Sequence, residues 1–250
     1  MMPRLVAAEV LDGLPQDDPR AIRSRQDLKR VHLAMGTRKI IRQALLDMKL
    51  ASLEVEPLRV LELGAGDGSL MLGVARDLDR AWPKVALTLL DRQDLVTHAT
   101  KASYQAVGWT VTSDVADVLD WAAREPDMTP DAPRRWDLIV ANLFLHHFEG
   151  AQLARLMQAI ALKGDRLLAC EPRRDRLALA GSHLTGMIGA NAVTREDAVL
   201  SVHAGFNGQE LSALWPATGE RWRVQEQAAG LFSHCFSAER LGVLPHEHRI

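Results

Sequence analysis

Short apolar runs alternate with longer amphipathic stretches through the middle of the chain. The runs predict five strands, near residues 58–63, 85–91, 109–113, 136–142 and 166–171. The stretches between them have helical spacing and predict helices at about 67–80, 93–107, 115–123 and 150–162. This alternation is typical of an α/β fold, in which a parallel sheet carries helices on both faces. Two more strands are predicted near 222–230 and 231–237, and a proline-rich surface loop at 124–135.

The segment before the first strand is predicted to be an arm followed by two helices. Residues 1–20 contain three prolines and an acidic pair, which predict a loose arm. Ser24 and Asp27 have the spacing of a capping box for a first helix. A second helix follows the break at Gly36.

A helical insert is predicted between the fifth strand and the last two, at about residues 175–216. Thr194 and Asp197 have the spacing of a second capping box inside it. Long insertions at the functional end of a rigid sheet usually carry specificity, so we expect a substrate lid here. The chain is accordingly divided into an N-terminal arm with helices, residues 1–52, and a domain at 53–250 that includes the lid.

Composition and charge narrow the possible partners and locations. The net charge of −2 provides no field that would recruit nucleic acid, so no nucleic-acid partner is expected. No apolar run reaches the roughly 18 residues of a membrane-spanning helix. The two cysteines, Cys170 and Cys235, lie in apolar stretches and are expected to be buried thiols. A cytoplasmic location follows as the default, and no metal site is expected.

A glycine-rich turn follows the first predicted strand, within Val60–Leu70. Gly64, Gly66 and Gly68 have the spacing G-x-G-x-G, and a helical pattern begins immediately afterwards. Glycine is needed where a backbone turns sharply and approaches a ligand closely, because a Cβ atom would block the approach. The following helix N-terminus offers unpaired N–H groups to an anion such as a carboxylate. We therefore expect a ligand site at this turn.

Polar residues also follow two of the other predicted strands. Asp91 ends the second strand, where an acid can accept both hydroxyls of a ribose. The fourth strand continues into a polar loop with Asn142, His146 and His147. Ligands of such sheets bind at the carboxyl ends of the strands, which is where all of these residues are predicted to lie.

Together these motifs resemble the class I S-adenosylmethionine-dependent methyltransferases. Val60–Gly68 matches the family pattern of two hydrophobic residues, a glutamate, a hydrophobic residue and G-x-G-x-G. Asp91 matches the acid that ends the second strand, and Asp114 matches the acid that contacts adenine in the family. Asp137–Phe148 resembles the strand-four motif of small-molecule enzymes of the ubiquinone and menaquinone type. This resemblance covers about residues 58–172.

The two ends of the chain show a second resemblance. Asp27–Gly36, Val202–Phe206 and Glu210–Pro216 look like bacterial methyltransferases encoded beside polyketide-synthase genes. The main resemblance implies a Rossmann-like, doubly wound, mostly parallel seven-stranded sheet with the last two strands antiparallel at one edge. It also implies S-adenosylmethionine as cofactor.

The expected cofactor contacts come from the strand ends and from the glycine turn. They are Glu62, Gly64, Ala65, Gly66, Gly68, Asp91, Arg92, Asp114, Val115 and Asn142. Three of them have an alternative interpretation. Asn142 could be a polar strand end that bonds to the backbone. Glu62 could be a half-exposed strand residue rather than an acceptor for turn N–H groups or the ligand's amino group. Asp114 could cap a helix beginning at Val115.

The expected catalytic residues are His146 and His147, one of which would orient or deprotonate the substrate. Alternatively, each could simply be bonded to backbone. Substrate contacts are expected from His183, His203 and Arg173, and an apolar lid surface from Leu177, Leu184, Met187, Ile188, Phe206 and Trp215.

The predicted reaction is methylation, at oxygen or carbon, of a small, largely apolar hydroxylated or phenolic metabolite. The alternatives are methylation of RNA or another macromolecule, and a non-catalytic nucleotide-binding module. A dinucleotide-dependent oxidoreductase fits less well, because its G-x-G-x-x-G motif requires glycine where this chain has Ser69. The sequence does not determine the oligomeric state.

Overall fold

The computed structural model describes residues 2–50, 57–78, 82–125, 135–217 and 219–241. Most of the loop predicted at 124–135 and the proposed boundary between residues 52 and 53 lie outside these ranges. The strands are Leu58–Leu63 (β1), Val85–Asp91 (β2), Trp109–Val115 (β3), Leu138–Asn142 (β4), Arg166–Pro172 (β5), Trp222–Ala229 (β6) and Ser233–Arg240 (β7).

Nine α-helices belong to the described ranges. They are Pro19–Met35 (α1), Thr37–Asp47 (α2), Ser69–Asp77 (α3), His98–Gln105 (α4), Val118–Ala123 (α5), Gly150–Lys163 (α6), Arg176–His183 (α7), Ala192–Ala204 (α8) and Glu210–Leu214 (α9). None of the helices described is both long and apolar enough to cross a membrane.

The seven strands form one mixed sheet in the order β3-β2-β1-β4-β5-β7-β6. Strands β1 to β5 are parallel to one another, as the alternation of strands and helices predicts. Strand β7 is antiparallel to both β5 and β6, so the expected antiparallel pair at the edge is confirmed. Strand order reverses between β1 and β4, and the carboxyl ends of these two strands therefore border a crevice.

Each face of the sheet has its own hydrophobic core, because alternate strand residues point to opposite sides. Leu58 and Val60 of β1 pack with α2, α3 and α4 on one face. Leu61 and Leu63 pack with α5 and α6 on the other. Glu62 follows the alternation of Leu58 and Val60, so it belongs to the face covered by α3 and α4.

The N-terminal segment differs from its prediction as a loose arm. Asp197 of α8 accepts hydrogen bonds from the backbone N–H groups of Val10 (2.7 Å) and Leu11 (3.0 Å). The N–H of Leu5 donates to the carbonyl of His203 over 3.0 Å. These bonds to α8 hold the segment in place despite its prolines, so the prediction is wrong for this stretch.

Both predicted capping boxes are also wrong. Helix α1 begins after Asp18, whose side chain accepts from the N–H of Arg20, and α8 begins after Asn191. Ser24 and Asp27 are instead buried in the middle of α1. Ser24 Oγ lies 2.8 Å from Thr194 Oγ1, and Asp27 accepts from the N–H of Asn191 over 2.8 Å. Their polar side chains join α1 to α8 rather than start helices.

Candidate active site

The glycine turn has the geometry that its sequence predicts. Gly64, Gly66 and Gly68 all have positive φ angles, of 65°, 56° and 72°. L-residues rarely adopt this region, which explains why glycine stands at all three positions. A Cβ atom at Gly64 would lie 2.1 Å from the Phe144 ring. A Cβ atom at Gly66 would meet no described atom within 4 Å, so Gly66 faces open space beside the turn.

Glu62 and Asn142 bring two buried, unpaired oxygens to this turn. Glu62 is 3% exposed and Asn142 is 9% exposed. Among the described residues, neither Glu62 Oε2 nor Asn142 Oδ1 has a hydrogen-bond partner. Burial, reinforced by the negative charges of Asp91 and Asp67, raises the pKa of Glu62 to about 8. Buried polar atoms of native proteins are nearly always paired, so these two oxygens call for a ligand with hydrogen-bond donors.

Asp91 connects the second strand to the glycine turn. Its Oδ2 accepts from the N–H of Gly66 over 2.8 Å, and its Oδ1 accepts from the N–H of Gln93 over 2.9 Å. A carboxylate has about four acceptor positions, so both oxygens can still receive ribose hydroxyls. Asp91 is therefore part of the turn's own structure as well as a candidate ligand contact.

Asp114 does not cap a helix, contrary to the alternative considered from the sequence. Strand β3 extends through Val115, and α5 begins only after Asp117, whose side chain accepts from the N–H of Leu119. Asp114 is partly exposed and lies 3.4 Å from Arg124. Val115 is 53% exposed, which is unusual for valine at a strand end and leaves an apolar surface beside Asp114.

The loop after β4 is held by a buried glutamate of the neighbouring strand β5. Glu171 is fully buried, and its carboxylate accepts from the backbone N–H groups of Phe144, Leu145 and His146 at 2.9–3.3 Å. Leu143 adopts a positive φ of 46°, a strained conformation for leucine. Glu171 thus fixes a tight turn that places Phe144 over Gly64 and directs the two histidines towards the N-terminal segment.

His146 lies between two carboxylates. It donates from Nδ1 to Glu171 over 2.9 Å, and its Nε2 lies 3.3 Å from Oε1 of Glu9. Burial disfavours its charged form, but the hydrogen bonds to Glu171 and Glu9 outweigh burial and raise the pKa of His146 to about 9. Ser201 of α8 in turn donates to Glu9.

His147 is more accessible than its neighbour. Its side chain is 21% exposed, against 3% for His146, and its Nδ1 lies 3.4 Å from Oδ2 of Asp12. Burial and the adjacent charge of His146 lower the pKa of His147. The other carboxylate oxygen of Asp12 lies 3.5 Å from Arg92, so the N-terminal segment bridges the histidine pair and the strand that carries Asp91.

The structure buries some of the predicted lid residues and leaves others exposed. Phe206 is fully buried and Trp215 packs against the same core, so neither of them provides a lid surface. Arg173 pairs with Asp175 at 2.7 Å. The other predicted lid residues, His183, Leu177, Leu184, Met187 and Ile188, are exposed, and His203 is half-buried on α8.

Sequence reasoning missed three acidic residues of this site: Glu9, Asp12 and Glu171. Glu9 and Asp12 lie in a stretch that was predicted to be loose, and no local pattern connects them with histidines more than 130 residues away. Glu171 carried a signal, because an acid at the end of an apolar strand resembles Glu62. The structure brings these residues together with His146, His147 and the glycine turn.

Comparisons with known proteins identify the family and the fold. A family model described as lysine methyltransferase matches residues 34–177. No curated protein sequence matches the chain.

Solved structures of methyltransferases have the same fold. The plantazolicin methyltransferase BpumL in complex with SAH has a TM-score of 0.58 at 12% identity, over 89% of this chain and 91% of that one. An O-methyltransferase family protein from Burkholderia thailandensis has a TM-score of 0.54 at 19% identity, over 90% of this chain and 60% of that one. Magnesium protoporphyrin IX methyltransferase (ChlM) from Synechocystis PCC 6803 with bound SAH has a TM-score of 0.50 at 15% identity, over 92% and 91% of the two chains.

Proposed function

Since the chain belongs to the family described as lysine methyltransferase and is an S-adenosylmethionine-dependent methyltransferase, we propose that it methylates a small, largely apolar hydroxylated or phenolic metabolite. The observation that carries the proposal is the pair His146 and His147, enclosed by three carboxylates beside the glycine turn. Such a cluster can bind and help deprotonate an acceptor hydroxyl.

The chain's own residues fit the methionine part of the cofactor. The unpaired oxygens of Glu62 and Asn142 can accept from its amino group, and the open side of Gly66 leaves room for its body. The N-terminus of α3, which follows Gly68, suits its carboxylate. The cofactor supplies a methyl group already activated on a sulfonium.

The nucleoside part is assigned to the ends of β2 and β3. Asp91 would hold the ribose hydroxyls, with Arg92 beside it. Asp114 would accept from the adenine amino group while exposed Val115 covers one face of the base. Residues in these positions hold the reacting groups in line, and such positioning supplies much of the rate of a methyl transfer.

The histidine pair is assigned to the acceptor. Phe144 lies between the pair and the glycine turn, with its ring centroid 6.3 Å from that of His147. An acceptor hydroxyl that reaches His147 would therefore lie close to the cofactor. We assign the polar lid residues His183, His203 and Arg173 to a second polar group of the substrate. The proposal keeps the division of the chain into residues 1–52 and 53–250, with a lid at about 175–216. A cytoplasmic location is part of the same proposal.

The reaction is tested with labelled S-adenosylmethionine and four acceptors. These are an alkylated phenol, its O-methyl ether, a lysine-containing peptide and an RNA. We expect label in the phenol, detected by mass spectrometry, and none in the peptide or the RNA. Label in the ether as well would assign methylation to carbon, because the oxygen of the ether is blocked. Label confined to peptide or RNA would overturn the small-molecule proposal.

The histidine pair is tested in the same assay. Replacing His146 or His147 by alanine should lower turnover of a hydroxyl acceptor by roughly 10²–10⁴-fold. The affinity for S-adenosylmethionine, measured by calorimetry, should stay unchanged. If both variants keep full turnover, the pair does not act on the acceptor and carbon methylation gains support.

A lysine side chain is the competing acceptor, because the family description names it. An amine acceptor must lose a proton before it can attack, so it would also use a polar cluster. The peptide arm of the assay decides between the two acceptors.

A further inference from the structure

We propose that Glu9, His146 and His147 form a binding site for a divalent transition metal ion, with Zn²⁺ as the ion that fits best. The proposal rests on the function above, because the ion would bind the acceptor oxygen of the same reaction. It departs from the expectation from sequence that the chain has no metal site.

Three ligand atoms converge at the histidine pair. One ligand atom from each of Glu9, His146 and His147 lies within 4.8 Å of the other two. The distance between His146 Nε2 and Glu9 Oε1 is 3.3 Å. Two ligands bound to one zinc ion at about 2.0–2.1 Å in a tetrahedron are roughly 3.4 Å apart. This pair therefore already has the separation of ligands that share an ion, and a small closing movement of His147 completes the set.

The surroundings of His146 are those of a metal-binding histidine. Glu171 accepts the Nδ1–H of His146 over 2.9 Å, so Nε2 is the nitrogen that faces Glu9. A bound ion would replace the proton that Nε2 shares with this carboxylate and release it to water. A carboxylate on the far nitrogen is the usual partner of a metal-bound histidine, because it fixes the tautomer and increases the basicity of the ligand. The backbone bonds to Glu171 keep this partner in place.

The charges of the cluster favour a cation. The carboxylates of Glu9, Glu171 and Asp12 surround two imidazoles, and Arg92 lies 3.5 Å from Asp12. Arg4 is bound to the backbone carbonyls of His146 and Phe148. Once an ion displaces the proton of His146, the three carboxylates exceed the positive charges of Arg92 and Arg4 by one, and the ion offsets this excess. Two imidazoles and one carboxylate favour zinc, cobalt or iron over Mg²⁺, which prefers oxygen ligands.

Three protein ligands leave a fourth position, as in catalytic zinc sites. The acceptor hydroxyl would occupy it, and the ion would lower the pKa of that hydroxyl. Its proton leaves to the carboxylate of Asp12 and from there to water. The oxygen then forms a bond to the methyl carbon as the bond from that carbon to sulfur breaks, and the sulfonium becomes a neutral thioether. Charge and atoms balance without a further reactant.

The site is tested on the full chain after treatment with a chelator. Titration with Zn²⁺ in a calorimeter should show one ion per chain, and Co²⁺ should give the visible absorption bands of nitrogen and oxygen ligands. The variants Glu9→Gln and His147→Ala should each weaken Zn²⁺ binding at least roughly a hundredfold, since each removes a ligand. His98→Ala is the control, because His98 is an exposed histidine of α4.

Each outcome decides between the two proposals. Absence of stoichiometric Zn²⁺ binding, or equal binding by Glu9→Gln and wild type, would overturn the metal site. If the chelated protein methylates a phenol at full rate, the metal site has no part in the reaction, while the proposed function stands. If Zn²⁺ binds as expected and no hydroxylated acceptor is methylated, the proposed function fails and the metal site stands.

Discussion

Two buried glutamates stand near the carboxyl ends of β1 and β5, and their surroundings differ. Glu171 in β5 accepts three backbone N–H groups and the ring N–H of His146. Glu62 in β1 is buried almost as completely, yet its Oε2 has no partner within the described part of the chain. The same residue type at equivalent places in one sheet is thus fully paired in one case and unpaired in the other.

The difference distinguishes buried carboxylates that stabilise the structure of a site from buried carboxylates that bind a ligand there. A fully paired carboxylate stabilises a loop, and its removal leaves several donors buried without partners. An unpaired buried carboxylate destabilises the fold and persists where a ligand completes it. We therefore expect changes at Glu171 and Glu62 to shift the free energy of unfolding in opposite directions.

The largest expected effect on cofactor affinity is at the glycine turn beside Glu62. Gly66→Val should weaken S-adenosylmethionine binding by roughly a hundredfold or more, equivalent to about 2.7 kcal/mol, because the side chain would fill the open space that the ligand needs. Calorimetry measures the affinity. Gly108→Val is the control, because Gly108 also has a positive φ and, among the atoms described, no neighbour for a Cβ. Both variants carry backbone strain, so equal losses of affinity would contradict the assignment.

Glu171→Gln should lower the free energy of unfolding by about 3 kcal/mol, since the amide cannot accept all the N–H groups that the carboxylate pairs. Urea unfolding measures the change. Glu226 is a matched control, because it accepts from the N–H groups of Leu211 and Ser212 and pairs with His234 at 2.8 Å.

Glu226→Gln should cost a similar free energy and leave turnover unchanged, because Glu226 belongs to β6 and supports α9. Glu171→Gln should lower turnover as well as stability. An unchanged unfolding midpoint in Glu171→Gln would contradict the inference that the hydrogen bonds of Glu171 stabilise the fold.

Asp91→Ala should weaken cofactor binding by roughly ten- to a hundredfold, because a hydrogen bond to a charged group contributes about 1.5–3 kcal/mol. The control is Asp94→Ala, an exposed acid of the following loop. Circular dichroism establishes that both variants are folded before calorimetry. A wild-type dissociation constant in Asp91→Ala would remove Asp91 from the ribose site.

The smallest effect on cofactor affinity is expected at Glu62, where the effect on stability has a defined pH dependence. Its pKa is raised to about 8 in the folded chain, so the folded state holds a proton that the unfolded state releases above its ordinary pKa. The stability contribution of Glu62 is therefore complete below about pH 4.5 and is lost as the pH rises towards 8.

Glu62→Gln should remove this loss and make the ligand-free protein more stable than wild type at pH 8. The same change should weaken S-adenosylmethionine binding by roughly tenfold, because the cofactor's ammonium loses its carboxylate partner. Thermal melts at pH 5 and pH 8 measure the first effect. A less stable Glu62→Gln at pH 8 would show that the carboxyl of Glu62 is satisfied in the fold.

Local patterns predicted most strand positions, because strand burial and turn geometry depend on neighbouring residues. Strand β1 occupies the predicted residues 58–63 and β2 the predicted 85–91. Helix ends were less accurate: α4 was predicted from 93 and begins at His98, because Thr97 caps it and accepts from the N–H of Thr100 over 3.1 Å. The sequence also placed the start of the last strand two residues early, since β7 begins at Ser233.

The glycine turn and the acids at the ends of β1 and β2 could be predicted from local residues, because they follow from steric limits and strand order within a short stretch. The surroundings of the histidine pair depend on contacts between distant parts of the chain. Glu9 and Asp12 reach His146 and His147 because Asp197 and Ser201 of α8 hold the N-terminal segment against the loop after β4. Contacts between residues so far apart in the chain depend on how whole elements pack, and no local pattern of residues encodes that packing.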